Sequence, residues 1–440
     1  MNSEHILSIH PLYKENRKRW KFLNDSYLGG ADYQAGDYLT RYVYETDEEY
    51  TLRKKQTPLD NHCKNIIHTY SSFLFAKEPQ RDLGSIKNLG AVADFIVDAD
   101  LDGRSYDAFM RDASVLASIY GSAWIIVDKP ATAATTRAQE LEQGIRPYVS
   151  IVTPPNVLDW EFERQLNGAY QLTMVKILEQ EIGPGEMYVR IYTPEETQVY
   201  YVNEGKKTDK YKLIESFPNP LGIVPIVILY NSRTDERGIG VSDINDIADV
   251  QRAIYDEHSE IEQLIRLSNH PSLVKTSNTR AAAGAGAIIE IDENLDPGLV
   301  PFLLQPNAGS LDGIINSINE KLASIDRMAH LGSVRATSQR NLSGVAMQTE
   351  FQLLSAKLIE KSKNLELAEE HIWRLFARWM NETFDGQVTY PVTFSTRDTE
   401  LELRQLKEAL SLFPDDPEMT LLIKNKIKTL LFYDNISTTE

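Results

Sequence analysis

Three carboxylates at alternate positions, Asp98, Asp100 and Asp102, run into Gly103 and form the segment best suited by type and spacing to hold a metal ion. Alternating carboxylates ended by a turn glycine make the first half of a calcium loop, where they wrap a hard cation. The twelfth position of such a loop should be a bidentate glutamate, and here it is Phe109. A polar turn between two helices is therefore favoured over a calcium site. The same three carboxylates holding magnesium would instead suit a metal-dependent nucleic-acid-processing enzyme, a phosphohydrolase. Gly284-Ala-Gly286 has glycines of the kind that cradle phosphate, but no strand precedes it in the required unit and no Gly-Lys-Ser/Thr follows. His62 and His68 lie near Cys63 without recognisable ligand spacing. Cys63 is the sole cysteine, which excludes an intrachain disulfide and a cysteine-cluster metal site. Neither a Gly-x-Ser-x-Gly elbow nor a His-Glu-x-x-His pair occurs. The expectation is a protein without cofactor, metal or catalytic residue.

A different chemistry is offered by His330 to Leu342, a stretch without an acidic residue in a chain of net charge -18. Arg335 and Arg340, with Thr337, Ser338 and Gln339, provide donors for phosphate oxygens. The same composition also suits an ordinary loop between helices. The acidic balance argues against a protein that grips phosphate backbones tightly. It is compatible with a channel wall over which DNA slides, and equally with a plain solubility role.

These residues need helices to position them. From Ser242, Ile244, Ile247, Val250, Ile254, Ile261 and Ile265 fall on one helical stripe, with Asp249, Asp256, Glu260 and Gln263 opposite. A second helix follows Ser310, with Leu311, Ile314, Ile315, Ile318, Leu322, Ile325 and Met328 at helical spacing. Ser343 is placed to cap a third, running to Phe384 along Met347, Phe351, Leu354, Leu358, Leu365, Ala368, Ile372, Phe376 and Trp379. At 1.5 Å per residue that helix extends roughly 60 Å. Residues 1–75 read as mainly helical, and a helix from Ser105 to Ile119 leads into a strand at Ala123 to Val127. Between 148 and 230 the period changes to strands, at Tyr148–Val152, Tyr170–Leu178, Met187–Tyr192, Gln198–Val202 and Val224–Leu229. Gly183-Pro-Gly185 and Asn203-Glu-Gly205 mark hairpins. A further strand is expected at Val388–Phe394 and helix again at Leu401–Phe432. The class is α+β and helix-rich. At 440 residues more than one core is expected. No apolar run reaches membrane-spanning length, and the N-terminus has no signal-peptide core, so synthesis and action in the cytoplasm are expected.

The order helix, lobe, helix, loop, long helix resembles the portal proteins of tailed bacteriophages, the head-tail connectors. Other segments agree in order: Trp20, Tyr27 to Tyr44, Arg53, Asn61 to Ile67, Phe73, Lys77, Pro79, Asp100-Leu-Asp-Gly103, Gly121 to Asp128, Asn219-Pro-Leu-Gly222, Pro225, Gly240-Val-Ser-Asp243 and Ser343-Gly-Val-Ala346. The resemblance implies a portal fold with a wing at 1–240, stem helices at 241–270 and 308–329, and a clip at 271–307. A tunnel loop at 330–342, a long helix with a wing return strand at 343–397, and a C-terminal crown at 398–440 complete it. It also implies a dodecameric ring at one capsid vertex, passing double-stranded DNA during packaging and ejection. Implied partners are terminase, major capsid protein and scaffold, and head-completion or tail-adaptor proteins, with no membrane. The implied location is the virion, with host cytoplasm during assembly. On this resemblance Arg335, Ser338, Gln339 and Arg340 face DNA, Asp249, Asp256 and Glu260 face the channel, and Arg280, Glu290, Asp292 and Glu293 dock terminase or adaptors.

Overall fold

Helix boundaries along the N-terminal region follow from local side-chain chemistry. The computed structural model describes residues 6, 8–130, 137–206, 210–269, 272–276, 296–304, 309–332, 334, 344–394, 406–410 and 417–432. Helix α1 (Pro11–Leu28) begins with proline in its first turn, its leading Leu12 N–H held by the His10 ring at 3.2 Å. It ends where Gly29 turns to φ +69°, and α2 (Gly30–Ala35) follows. Helix α3 (Asp47–Gln56) opens on a complete capping box between Thr46 and Glu49. Helix α4 (His62–Leu74) is capped by Asn61. Two further helices, α5 (Gly90–Val97) and α6 (Tyr106–Tyr120), follow the short strand β1 (Gln80–Asp82). Gly121 ends α6 at φ +91°, and a Cβ there would lie 2.0 Å from the Gly240 carbonyl oxygen, so this close backbone crossing requires glycine.

Strand β2 (Ser122–Asp128) is the middle of a three-stranded antiparallel sheet, between β3 (Tyr148–Val152) and β9 (Ile226–Tyr230), with Trp124 opposite both Val152 and Ile228. Its unbroken apolar sequence reflects burial on both faces. The short helix α7 (Arg137–Glu142) lies in the β2–β3 connection. A second sheet is an antiparallel meander of β4 (Val157–Arg164), β5 (Tyr170–Gly183), β6 (Glu186–Tyr192), β7 (Glu196–Asn203) and β8 (Tyr211–Pro218). Met174, Val189, Ile191, Tyr200 and Val202 pack there with Ile6. Then come helix α8 (Asn245–Asn269), strands β10 (Ser272–Val274) and β11 (Phe302–Leu304), helix α9 (Gly309–Ala329) and helix α10 (Gly344–Trp379). Strand β12 (Gln387–Thr389) pairs with β1. Residues 393–440 cluster as a separate unit, in which 406–410 and α11 (Pro417–Phe432) are helical. Among the described residues no helix is long and apolar enough to cross a membrane.

Most expected elements are present, with informative differences. The strand region is two sheets, because β3 and β9 join β2 while the intervening strands form the meander. Both outer strands of the meander, β4 and β8, escaped the pattern. An edge strand need not bury a complete alternating face, and β8 is largely exposed along its length. The return strand is shorter than 388–394 and completes the β1 pair rather than the meander. Pro391, which cannot donate to a ladder, follows it closely. Helix α10 stops five residues before Phe384, where the Glu382 N–H reaches back to the Ala377 carbonyl at 2.8 Å and Asn381 takes φ +55°. Ser343 and the expected strand Ile288–Ile291 lie outside the described residues.

Two buried polar networks tie α10 to the rest. Glu369 is fully buried and accepts from Arg81, from the Trp373 indole at 3.2 Å and from the Tyr390 hydroxyl at 2.7 Å. Arg81 also pairs with Asp107 at 2.7 Å, linking β1, α6 and β12 to α10. The second network centres on Asp243, with Lys361 at 2.6 Å and Lys357 at 3.2 Å on its two oxygens. Lys361 also donates to Ser118 Oγ at 2.9 Å and to Asn231 Oδ1. The Asp243 N–H and the Ser242 hydroxyl both donate to the Ser118 carbonyl, at 3.0 and 2.9 Å. Burial alone would raise the Asp243 carboxyl, but the two ammoniums and the hydrogen bonds hold it well below the usual carboxylate range.

Asp243→Asn should therefore lower stability by about 3–5 kcal/mol at pH 7, because it leaves two ammoniums without their carboxylate. Since the native carboxyl is depressed, its contribution is complete above about pH 4 and falls away as pH drops below the unfolded value. Urea unfolding of wild type and variant at pH 7 and at lower pH checks this: their stability gap should narrow on acidification.

Candidate functional site

Helices α8 and α9 pack together, and a polar set joins them: Glu257 on α8 accepts from Ser317 Oγ at 2.7 Å and Lys321 Nζ at 2.6 Å on α9. Ile247 and Ile254 are buried on α8, as are Ile318 and Ile325 on α9. The acidic side of α8 is not bare. Asp249 receives both terminal nitrogens of Arg19, at 3.0 and 2.7 Å, and Asp256 receives the Thr40 N–H at 2.7 Å and its hydroxyl at 2.9 Å. Glu260 is exposed and lies within the electrostatic reach of the Tyr42 phenol. The structure thus places all three carboxylates on one helix, two of them engaged by the N-terminal segment.

Deeper on α8, Ser259 accepts from Arg53 Nη1 at 2.9 Å. Arg53 is buried, its Nε and Nη2 each bond the Glu45 carboxylate at 2.6 and 2.7 Å, and Nη2 also reaches the Thr40 carbonyl at 2.7 Å. Gln251, also buried, accepts from the Cys63 N–H at 2.9 Å and donates to the Ser26 carbonyl at 3.1 Å. These contacts bury polar residues of α8 that a two-faced helix would leave in water.

Strands β10 and β11 pair antiparallel, Ser272 opposite Leu304, so the two ends of the excursion between α8 and α9 lie side by side. Arg280, Glu290, Asp292 and Glu293, and Gly284-Ala-Gly286, lie outside the described residues. The acid-free segment is bracketed in a similar way. Its leading residues follow α9, where buried Ala329 accepts the Tyr70 hydroxyl and buried Leu331 donates to the Asp326 carbonyl at 3.0 Å. Gly332 abuts the Glu350 carboxylate of α10 so closely that a Cβ would lie 2.4 Å from its oxygen. Arg335, Ser338, Gln339 and Arg340 themselves lie outside the described residues.

The remaining metal candidates have other tasks. Asp98 accepts the Gly103 N–H at 2.9 Å and pairs with Arg146 at 3.1 Å. Asp100 accepts the Asp102 and Arg104 N–H groups at 3.1 and 3.2 Å. They close a turn in which Leu101 and Gly103 have positive φ. His62 pairs with Asp60 at 3.0 Å, and burial pushes the Cys63 thiol up. No group of three or more potential ligands converges among the described residues.

Sequence reasoning placed Lys361 in no role, although it stands between Leu358 and Leu365 in an otherwise apolar helical seam. A lysine at such a position signals a buried partner, here Asp243. No comparable signal marks Asn231, Ser118 or Arg53, whose burial depends on elements distant in sequence.

No curated protein sequence matches the chain. One solved structure resembling it is titled "Virion of native gene transfer agent (GTA) particle", at 9% identity and TM-score 0.43, covering 88% of this chain and 96% of that one. Another is titled "Neck of empty GTA particle computed with C6 symmetry", at 10% identity and TM-score 0.44 with the same coverages of 88% and 96%. A family model described as phage portal protein, SPP1 Gp6-like, matches residues 8–402. That match takes in both sheets, the paired helices α8 and α9 and the whole of α10, and the chain belongs to this phage portal protein family.

Proposed function

We propose that this chain is the subunit of a closed, dodecameric ring at a single capsid vertex, through which double-stranded DNA enters during packaging and leaves during ejection. The family match over residues 8–402 carries the proposal, and it supports a portal or connector role in a virion. Helices α8 and α9 form the stem, residues 271–307 the clip, 330–342 the tunnel loop, and α10 the long helix returning to a wing made of the N-terminal helices and the two sheets. The crown is residues 398–440. Portal proteins form a structural family, and this member is itself no enzyme; terminase supplies the energy for packaging. The clip, through Arg280, Glu290, Asp292 and Glu293, docks terminase and then head-completion or tail-adaptor proteins, while the wing meets major capsid protein and scaffold. Assembly takes place in the host cytoplasm. Asp249, Asp256 and Glu260 face the channel. The rival phosphohydrolase has no support in the turn at Asp98–Gly103, where Asp98 and Asp100 are engaged by backbone N–H groups and arginines.

A cyclic ring uses heterologous interfaces that close by rotation. Negative-stain electron microscopy and native mass spectrometry of the purified chain at micromolar concentration should therefore show a ring with a central hole. A strict monomer at all salt concentrations, even with scaffold or capsid protein present, would remove the proposal.

Replacing Arg335 and Arg340 together by alanine should leave ring formation intact but reduce DNA packaging or retention, since two proposed phosphate contacts are removed. Normal filling and infectivity would show that these side chains are not DNA contacts.

Because β10 and β11 already join the ends of the clip, a Gly/Ser bridge replacing Thr276 to Asp296 should preserve the circular dichroism spectrum. The shortened protein should lose terminase in a pull-down. Full binding by the folded deletion would move the docking surface elsewhere.

A further inference from the structure

Between α2 and α3 the chain presents Tyr42-Val43-Tyr44 to solvent, with Val43 90% and Tyr44 97% exposed. This is no slack loop. The Tyr42 N–H is held by Glu45 at 3.2 Å, the Leu39 carbonyl accepts the Tyr50 hydroxyl at 2.9 Å, and Thr40 is fixed to Asp256 on α8. Beneath the tip, the buried Arg53 guanidinium binds Glu45 and Thr40 and lies 4.0 Å from the Tyr42 ring centroid. A loop braced from both sides, with two apolar side chains at its apex, has its ordering entropy removed before any partner arrives. Exposed aromatic anchors on a rigid support are the usual centres of binding energy in protein interfaces. Beside the apex, the first turn of α3 exposes three carboxylates, Asp47, Glu48 and Glu49.

The same chain carries a complementary surface. The outer face of α4 borders a shallow, open concavity whose lining includes Lys64, His68, Thr69, Phe73 and Ala76 and no acidic residue. Its rim is fixed, since Asn61 donates to the Tyr27 carbonyl at 2.9 Å, Tyr27 lies against His68, and Phe73 meets Phe351 of α10 at 6.3 Å between ring centroids. In a protein of net charge -18, an acid-free concavity with a lysine at its edge is suited to an apolar tip flanked by carboxylates. A ring built from one chain needs two different surfaces that fit each other.

We infer that Val43 and Tyr44 of one copy seat in the α4 concavity of the next, with Asp47, Glu48 and Glu49 facing Lys64, as one contact of the subunit interface. The inference rests on the ring proposed above and names the partner of these two surfaces.

Full-length Val43→Ser/Tyr44→Ser protein should need at least about tenfold higher concentration for half-assembly than wild type, by native mass spectrometry or light scattering. Its circular dichroism should be unchanged. Tyr44→Cys combined with Thr69→Cys should give, under mild oxidation, a ladder of disulfide-linked multimers that neither single variant gives; the native Cys63 is buried and does not compete. A wild-type chain that never assembles overturns the ring itself. Wild-type rings with undiminished assembly of the double-serine variant overturn this contact alone. Impaired assembly without a cross-linked ladder overturns the α4 seat.

Discussion

The rest of the molecule depends on the placement of Asp243 against Lys361. Burying an ammonium and a carboxylate costs several kcal/mol per ion before their attraction is counted, so the pair is weak as a source of stability and strong as a constraint on geometry. The apolar seam of α10, Leu354, Leu358, Leu365, Ala368 and Ile372, repeats at helical period, so by itself it specifies the packed face and would present that face again after a shift by one helical turn. Such a shift would carry the Lys361 ammonium away from Asp243, Ser118 and Asn231 into apolar surroundings. One register satisfies every partner, and it fixes α10 against the ends of α6 and β9 and the start of α8. From Lys357 the constraint continues. Its ammonium stands 4.8 Å from the Tyr70 ring centroid, and the Tyr70 hydroxyl donates to the carbonyl of Ala329 at the end of α9. The beginning of α8, the end of α9 and the body of α10 are thus referred to one buried centre, and the acid-free segment between α9 and α10 springs from elements held by it.

Several cations in this chain are committed to internal duty. Arg53, Arg81, Lys176 and Lys361 are each buried or nearly so and bound to carboxylates, carbonyls or hydroxyls of the same chain. Each is withdrawn together with a carboxylate, so the outside keeps the negative balance of the composition, which weakens any general attraction for phosphate. On the proposed reading, Arg335 and Arg340, in a sequence stretch without acidic residues, act locally rather than as part of a basic field.

How much of this was legible in the sequence varied with the kind of burial. Amphipathic helices announce themselves, and α8, α9 and α10 lie close to their expected positions because each repeats an apolar side at helical period. Strand β2 was legible as a continuous apolar run and β5 to β7 as alternating ones. Strands β4 and β8 were not, since their identity as strands is set by pairing to a neighbour rather than by their own pattern. The division into two sheets is likewise a property of pairing between distant segments, β2 with β9, which no local window contains. Of the residues assigned to the channel wall, DNA contact and docking, the three of the channel wall on α8 lie among the described residues, and the N-terminal donors that meet two of them were not foreseen because Arg19 and Thr40 are more than two hundred residues away.

The polar half of α8 shows why a two-faced helix is an incomplete description. Its periodicity separates isoleucines from carboxylates, yet Gln251 and Ser259 are both fully buried and both bonded to elements near the N-terminus. A helix can bury such residues only if the partner segments bring matching donors, and Cys63 N–H and the Arg53 guanidinium do so. Burying Arg53 in turn requires a carboxylate, which Glu45 supplies; Glu45 can reach it only if the chain from Thr40 to Thr46 folds back on itself. That return forces the intervening Tyr42, Val43 and Tyr44 outward. The most exposed apolar residues of the N-terminal region are therefore a mechanical consequence of satisfying one buried arginine, and the energy that orders them belongs to the fold rather than to any partner they meet.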